Sequence, residues 1–246
     1  MSAATIFALI VIIFAALVAV NAVNVRQQTL KHRLRHQQRL YQALESAEDA
    51  LTTVLRTLET TDVAQHINQE ISAILERLIQ LEPFNPAPIQ ARMELAHKRQ
   101  QQLAAGALRP SLRRLCSSDT EIATLQLSLG HGARIIHSQL AAEKLSPEQA
   151  RLLVAQIDWA RLMVSVLSII AAGYSARDNT QITAALSYFQ KAQDLLQGSS
   201  NPDPRRLEMV RQLSAVMQHP KATVEHDLFP ESADGYGEVS ELVDEN

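Results

Sequence analysis

Three groups of residues in this chain have types and spacings that chemistry could use. Glu94 and His97 form a Glu-x-x-His pair, which puts a carboxylate and an imidazole one turn apart on a helix. A di-metal carboxylate bundle needs two such pairs and two further glutamates. The chain holds no second Glu-x-x-His, so this pair reads as a helix-surface contact.

The second group is Gly130-His131-Gly132-Ala133-Arg134. His131 and Arg134 stand one turn apart and could hold an anion between them. His137, six residues from His131, points elsewhere on a regular helix. No nucleophile or second base joins them by spacing, so the plainer reading is a glycine-flanked histidine at a helix crossing. The third group, Arg109, Arg113 and Arg114, has the residue type that binds phosphate. The chain as a whole is not basic, so these read as a solvated helix face and a nucleic-acid partner is not expected.

Cys116 is the only cysteine. It excludes an intrachain disulfide, and a thiolate zinc site lacks its other ligands. Its apolar neighbourhood marks a buried, inert thiol. Glycine-rich phosphate loops, paired zinc ligands, Gly-x-Ser-x-Gly and His-Glu-x-x-His are all absent. No catalytic, cofactor or metal set emerges, and the expectation is a protein that acts without being an enzyme.

The elements that must carry these residues are helices. The 246 residues include only 7 Gly and 9 Pro, and 46% are hydrophobic, which favours long helices over many short strands. Aromatics make up 4%, too few for base-stacking platforms. The net charge of −3 is unevenly spread. Residues 1–25 carry no ionisable side chain, and Ile6–Val20 contains no polar residue. A basic stretch follows, with Arg26, Lys31, Arg33, Arg35 and Arg39 beside His32 and His36 and no acid before residue 45. From 218 onward eight acids face one base, Lys221.

About 23 residues at the amino end reach about 34 Å as a helix, enough to cross a hydrocarbon layer of about 30 Å. The positive charges follow this segment, which predicts its amino end outside and the body cytoplasmic, with the basic cluster lying on anionic headgroups. The rival is a secretory signal cleaved near Val20-Asn21-Ala22, leaving a secreted or periplasmic body. A signal peptide places its charge before the apolar run, and here the charge comes after.

Residues 26–60 read as an amphipathic helix. Leu30, Leu34, Tyr41, Leu44, Leu51, Leu55 and Leu58 make a rough heptad seam, broken by Gln37 and Glu48. It predicts packing on the body, or a homodimer through residues 30–58. Asp62 is a candidate N-cap for a helix to about Glu82, buried through Val63, Ile67, Ile71, Ile74, Leu75 and Leu78. Pro83, Pro86 and Pro88 make a stiff connector. A helix from about Pro88 to Ala105 then stops at Gly106, with Lys98–Gln102 as a solvated face.

Ser118-x-x-Glu121 and Ser146-Pro147-Glu148-Gln149 are capping boxes opening two further helices. The first has an inner face of Ile122, Leu125, Leu129, Ile136 and Leu140, with Gly130 and Gly132 predicting a kink or close crossing. The second contains Leu162–Ala172, apolar nearly all round and too short to span, hence a central core helix.

Ile182, Ala185, Leu186, Phe189 and Leu196 predict the next inner face. Asp203-Pro204 starts a last helix, buried through Leu207, Val210, Leu213 and Met217. Gly173, Ala185, Phe189 and Ala192 resemble a tetratricopeptide-type hairpin over about a tenth of the chain. The aromatic pair and final proline of that repeat are missing, which leaves a helical hairpin of generic kind.

The expected fold is all-α: one N-terminal transmembrane helix, an irregular bundle of helical hairpins, and a disordered acidic tail. The expected units are a 1–25 anchor, a 26–60 juxtamembrane helix, a 62–217 helical domain and a 218–246 tail. The expected role is a membrane-tethered scaffold or adaptor working through protein contacts at the cytoplasmic face. The alternative is an anchored sensor or small-anion binder using His131 and Arg134.

Overall fold

A chain with so few helix breakers forms helices wherever its apolar stripe can be buried, and the described residues of the computed structural model form only helices and their links. It describes the backbone of residues 3–81, 86–108, 110–219, 223–224 and 228, and the side chains of these from residue 31 on, together with 27 and 28. The side chains of Arg26 and Leu30, the 82–85 part of the proline connector, Arg109, and residues 229–246 with Phe229 and Tyr236 lie outside the described residues. Among those described there are seven helices and no strand.

The helices are α1 (Ala3–Thr57), α2 (Asp62–Leu81), α3 (Ala87–Ala104), α4 (Asp119–Ala141), α5 (Pro147–Asp178), α6 (Ile182–Gly198) and α7 (Arg205–Gln218). α1 is unbroken across the change from apolar to basic sequence at residue 26. Its 55 residues reach about 82 Å at 1.5 Å per residue. Among its described side chains the first buried one is Leu40. From there Leu44, Ala47, Leu51, Val54 and Leu58 pack into the same apolar cluster as α2, α3, α4 and the first half of α5. A division between residues 60 and 62 therefore falls inside one packed core. Leu34 and Tyr41, two members of the expected seam, are exposed. The 40–58 part of the seam is occupied by the chain itself, so residues 31–39 are what it leaves for a second copy.

α2 buries all six residues that its period picks out. α3 ends where Gly106 takes a positive φ of 64°, a left-handed stop that glycine adopts without a Cβ clash. Its Gln100 is not simply solvated, because its Oε1 accepts a 2.9 Å bond from Asn68 Nδ2. At α5, Ser146 and Gln149 make the full reciprocal capping box. At α4 only half of the box forms. Ser118 Oγ accepts from Glu121 N at 3.2 Å, but the Glu121 carboxylate turns to Ser117 N and to Arg56 instead. A guanidinium is a stronger partner for a carboxylate than a lone amide N–H, and it wins.

α5 runs through both halves of the molecule. Among the residues whose side chains are described, it is the one helix long and apolar enough to cross a membrane, and its residues serve as the wall between two cores. The second core joins the rest of α5 to α6 and α7. Two faces here differ from the sequence expectation. On α6, Ile182 and Leu186 are exposed, while Ala185, Phe189, Ala192 and Leu196 are buried. On α7, Leu207 is exposed, Val210 and Met217 are half-buried, and Met209, Leu213 and Val216 point inward. Small residues let α6 approach α5 closely, which rotates the larger aliphatics out. A Cβ on Gly173 would stand 2.6 Å from Phe189 Cε1.

Of the two α4 glycines, only Gly132 marks a crossing. A Cβ there would lie 3.3 Å from Ile67 Cδ1, whereas Gly130 faces open space. Beyond α7 the fold does not end at residue 218. Val224 is buried, its N–H donates to the Tyr174 hydroxyl at 2.7 Å, and Leu228 packs on the second core. An apolar residue in an acidic stretch docks where a buried hydroxyl can satisfy its backbone.

Candidate functional site

The basic stretch of α1 is the first candidate. Lys31, Arg33, Arg35 and Arg39, with His32 and His36, are all exposed. At 100° per residue, Lys31, Arg35 and Arg39 share one side, and His32 and His36 widen that arc. They precede Leu40, the first buried residue among those described, so they stand on a part of the helix outside the core.

The His131 and Arg134 pair sits on α4 facing α1. Arg134 is exposed and its Nε donates to Gly130 O of its own helix at 3.4 Å. His131 is half-buried; burial, and then the Arg134 charge, push its imidazole below its ordinary range, while Asp49 of α1 pulls the other way. The neutral form is thus favoured, and a neutral imidazole contributes no charge to anion binding. His137 lies apart, exposed at the rim of a shallow hollow of about 710 Å³. Glu94 and His97 are exposed on α3, and no group of three metal-ligating side chains occurs among the described residues.

The arginine triplet is where sequence reading missed most. Residues 110–116 form no helix. They run as an extended strip along the end of α1, with Ser111 N donating to Leu55 O at 3.1 Å and Arg113 N to Arg56 O at 2.8 Å. Arg113 is exposed, but the Arg114 side chain is 4% exposed. The strip turns it inward. Beside it Cys116 is half-buried, its N–H donates to Ser168 Oγ at 3.0 Å, and burial, followed by the Glu121 charge, raises the thiol above its ordinary range. The thiol form dominates, as expected for an inert cysteine.

Arg114 reaches a cavity of about 370 Å³ between the bend at Thr57–Thr60, α5 and the link that precedes α7. Its Nη1 is 3.5 Å from Glu59 Oε1. The same oxygen accepts from Arg205 Nη1 at 2.7 Å. Arg205 is held from behind by Asp203, with Nε to Oδ1 at 3.0 Å and Nη2 to Oδ2 at 2.7 Å. Its guanidinium lies over the Trp159 ring, 4.8 Å from the centroid. Asp203 Oδ1 also accepts the Arg205 backbone N–H at 2.9 Å from the position before Pro204, which is the N-cap of α7 and makes no side-chain cap. Burial pushes the Asp203 carboxyl up, but the Arg205 bonds outweigh it and leave it below its ordinary value. The Asp203 bond likewise lifts Arg205 further above its ordinary range. Trp159 Nε1 is buried with no hydrogen-bond partner among the described residues.

These are converging charges around a hollow, drawn from three separate stretches of chain. No protein-family model, curated protein sequence or solved structure matches this chain. Function has to be argued from its own residues. The signal that could have found the cavity is Asp203-Pro204-Arg205, an acid at a helix start with a base two positions on. Nothing in the sequence ties it to Arg114 or Glu59.

Proposed function

We propose that this chain is a membrane-anchored helical adaptor, amino end outward, with its body at the cytoplasmic face offering helix grooves to a protein partner. One observation supports this reading above the others. α1 continues without a break from the uncharged segment through the exposed cations into the buried stripe that starts at Leu40. A helix of this build couples a membrane segment rigidly to the body. Thirty-seven residues separate Ala3 from Leu40, about 56 Å of helix, which spans a hydrocarbon core of about 30 Å with two further turns or more for the headgroup layer. The trailing cations favour the cytoplasmic side and add about 1 kcal/mol each when close to anionic lipid. The acidic segment after α7 adds a charge-selective arm, and it can compete with lipid for the α1 cations in a salt-sensitive way.

Alkaline extraction and protease accessibility on intact cells test this reading. The expected result is full-length chain retained in the membrane and protected from external protease. A chain lacking residues 2–25 should be released with its helical circular dichroism intact. A mature chain beginning near Val23, or digestion of the body from outside, overturns the reading in favour of a cleaved signal.

A further inference from the structure

We propose that the cavity beside Trp159 binds a small carboxylate-bearing molecule, clamped by Arg114 and Arg205, with Glu59 as the internal carboxylate that it displaces. A buried arginine is an expensive way to fill space, since a hydrophobic residue of similar volume does so without desolvating a charge. Arg114 carries that cost, and at the cavity it meets the carboxylate of Glu59. Its 3.5 Å separation from Glu59 is longer than the 2.7–2.9 Å typical of a charge-assisted bond. One oxygen, Glu59 Oε1, serves both guanidinium groups. With the Arg205 fork held by Asp203, Arg205 Nη1 and the Arg114 guanidinium face the hollow and can each take one oxygen of a carboxylate.

The partners differ in freedom. Glu59 is 40% exposed on a non-helical bend, so it can swing into water. Arg114 is locked in the interior, and Arg205 is fixed by Asp203 and the Trp159 face, so the clamp is organised before a ligand arrives. Once Glu59 leaves, two arginines and Asp203 leave one net positive charge, which matches a monoanion. Leu152 and Ala155 of α5 give the cavity an apolar side for a short hydrocarbon body. Its volume is at the small end of ligand sites, about 300–1,000 Å³.

The source is a free solute rather than a lipid headgroup. Thr57, at the cavity, follows Arg39 on the same helix by about 27 Å. That last step rests on the anchored reading above; the site itself does not.

Trp159 is the only tryptophan in the chain, so its fluorescence reports on this cavity alone. The full-length protein in detergent is titrated with 3-phenylpropionate, butyrate and octanoate, with 3-phenylpropionamide as the uncharged match and inorganic phosphate as another anion. At least one carboxylate should give a saturable change in emission at millimolar concentration or below, with no response to the amide. Glu59→Gln removes the internal competitor and should tighten that binding on the order of ten-fold. Arg205→Gln should abolish it. An equal response to the amide overturns the proposal. So does a Glu59→Gln protein that is folded by circular dichroism but answers to none of the three carboxylates. A response to phosphate alone does so as well, since it assigns the clamp to a different anion. None of these readings depends on membrane insertion, so the failure of one proposal is separable from failure of the other.

Discussion

The two cores of this protein share α5 and are built by different rules. The first, under α1–α4, packs branched aliphatics whose helical period is clean, so α2 and α4 bury much the residues that their spacing indicates. The second, between α5, α6 and α7, is built on close approach. Gly173, Ala185 and Ala192 bring the backbones together, and one large ring, Phe189, fills the gap, edge-on to Tyr174 at 5.2 Å. A core of many similar residues spreads its load. Within the second core, the α5–α6 contact sets small residues around the Phe189 ring and concentrates its load there, so a single atom out of place is felt.

The sharpest way to break that contrast is Phe189→Ala. Phe189 is 2% exposed, and its loss leaves a cavity that close-packed backbones cannot collapse into. A loss of about 3–5 kcal/mol is expected, read as a lower urea midpoint by circular dichroism. A loss under about 1 kcal/mol would show that the ring is not what holds α6 to α5.

Next comes a matched pair, Gly173→Ala and Gly132→Ala. Each gains about 1 kcal/mol of helix propensity. At Gly173 the new methyl meets a fully packed ring at 2.6 Å, and net destabilisation of about 1–3 kcal/mol is expected. At Gly132 the one tight contact is the terminal methyl of Ile67 at 3.3 Å, with Ile157 and Val54 at an ordinary 3.8 Å, and the net change should stay within about 1 kcal/mol of zero. Adding Phe189→Leu to Gly173→Ala should return part of the loss, because it makes room for the methyl. Equal effects at the two glycines would erase the distinction between the cores.

The same contrast explains what was legible in advance. The helices and several of their stops were readable because they depend on local chemistry: Ser146 with Gln149, Gly106, and the 3.6-residue period of Val63–Leu78. The inner faces of α6 and α7 were misjudged because period favours the largest aliphatics, Ile182, Leu186 and Leu207. Contact there is decided by which residues are small enough. The cavity was illegible for a different reason. Glu59, Arg114, Trp159 and Arg205 are far apart in sequence and meet only through the extended 110–116 strip, whose tertiary hydrogen bonds to α1 leave no pattern in composition.

The smallest expected effect concerns how the first core holds that strip. Glu121 lies below its ordinary value of 4.5, chiefly because Arg56 donates to it at 2.7 Å, with Ser117 N–H adding to the shift against the cost of burial. A carboxyl whose folded value is depressed is favoured ionised in the native state. Its contribution is therefore present above the unfolded value and fades as pH falls through the folded one. About a third of the side chain is exposed, so solvent screens the pair and holds the effect below about 1 kcal/mol. Glu121→Gln keeps the Ser118 cap, which uses only the backbone N–H of residue 121. The variant should lose less stability than the parent between about pH 5 and pH 3, with the two curves parallel above pH 6. Asp203, depressed by Arg205 beside the second core, keeps its own acid dependence in both proteins. If Glu121→Gln falls as steeply as the parent, the Arg56 contact does not fasten the strip, and the acid limb belongs to the Asp203 side of the molecule.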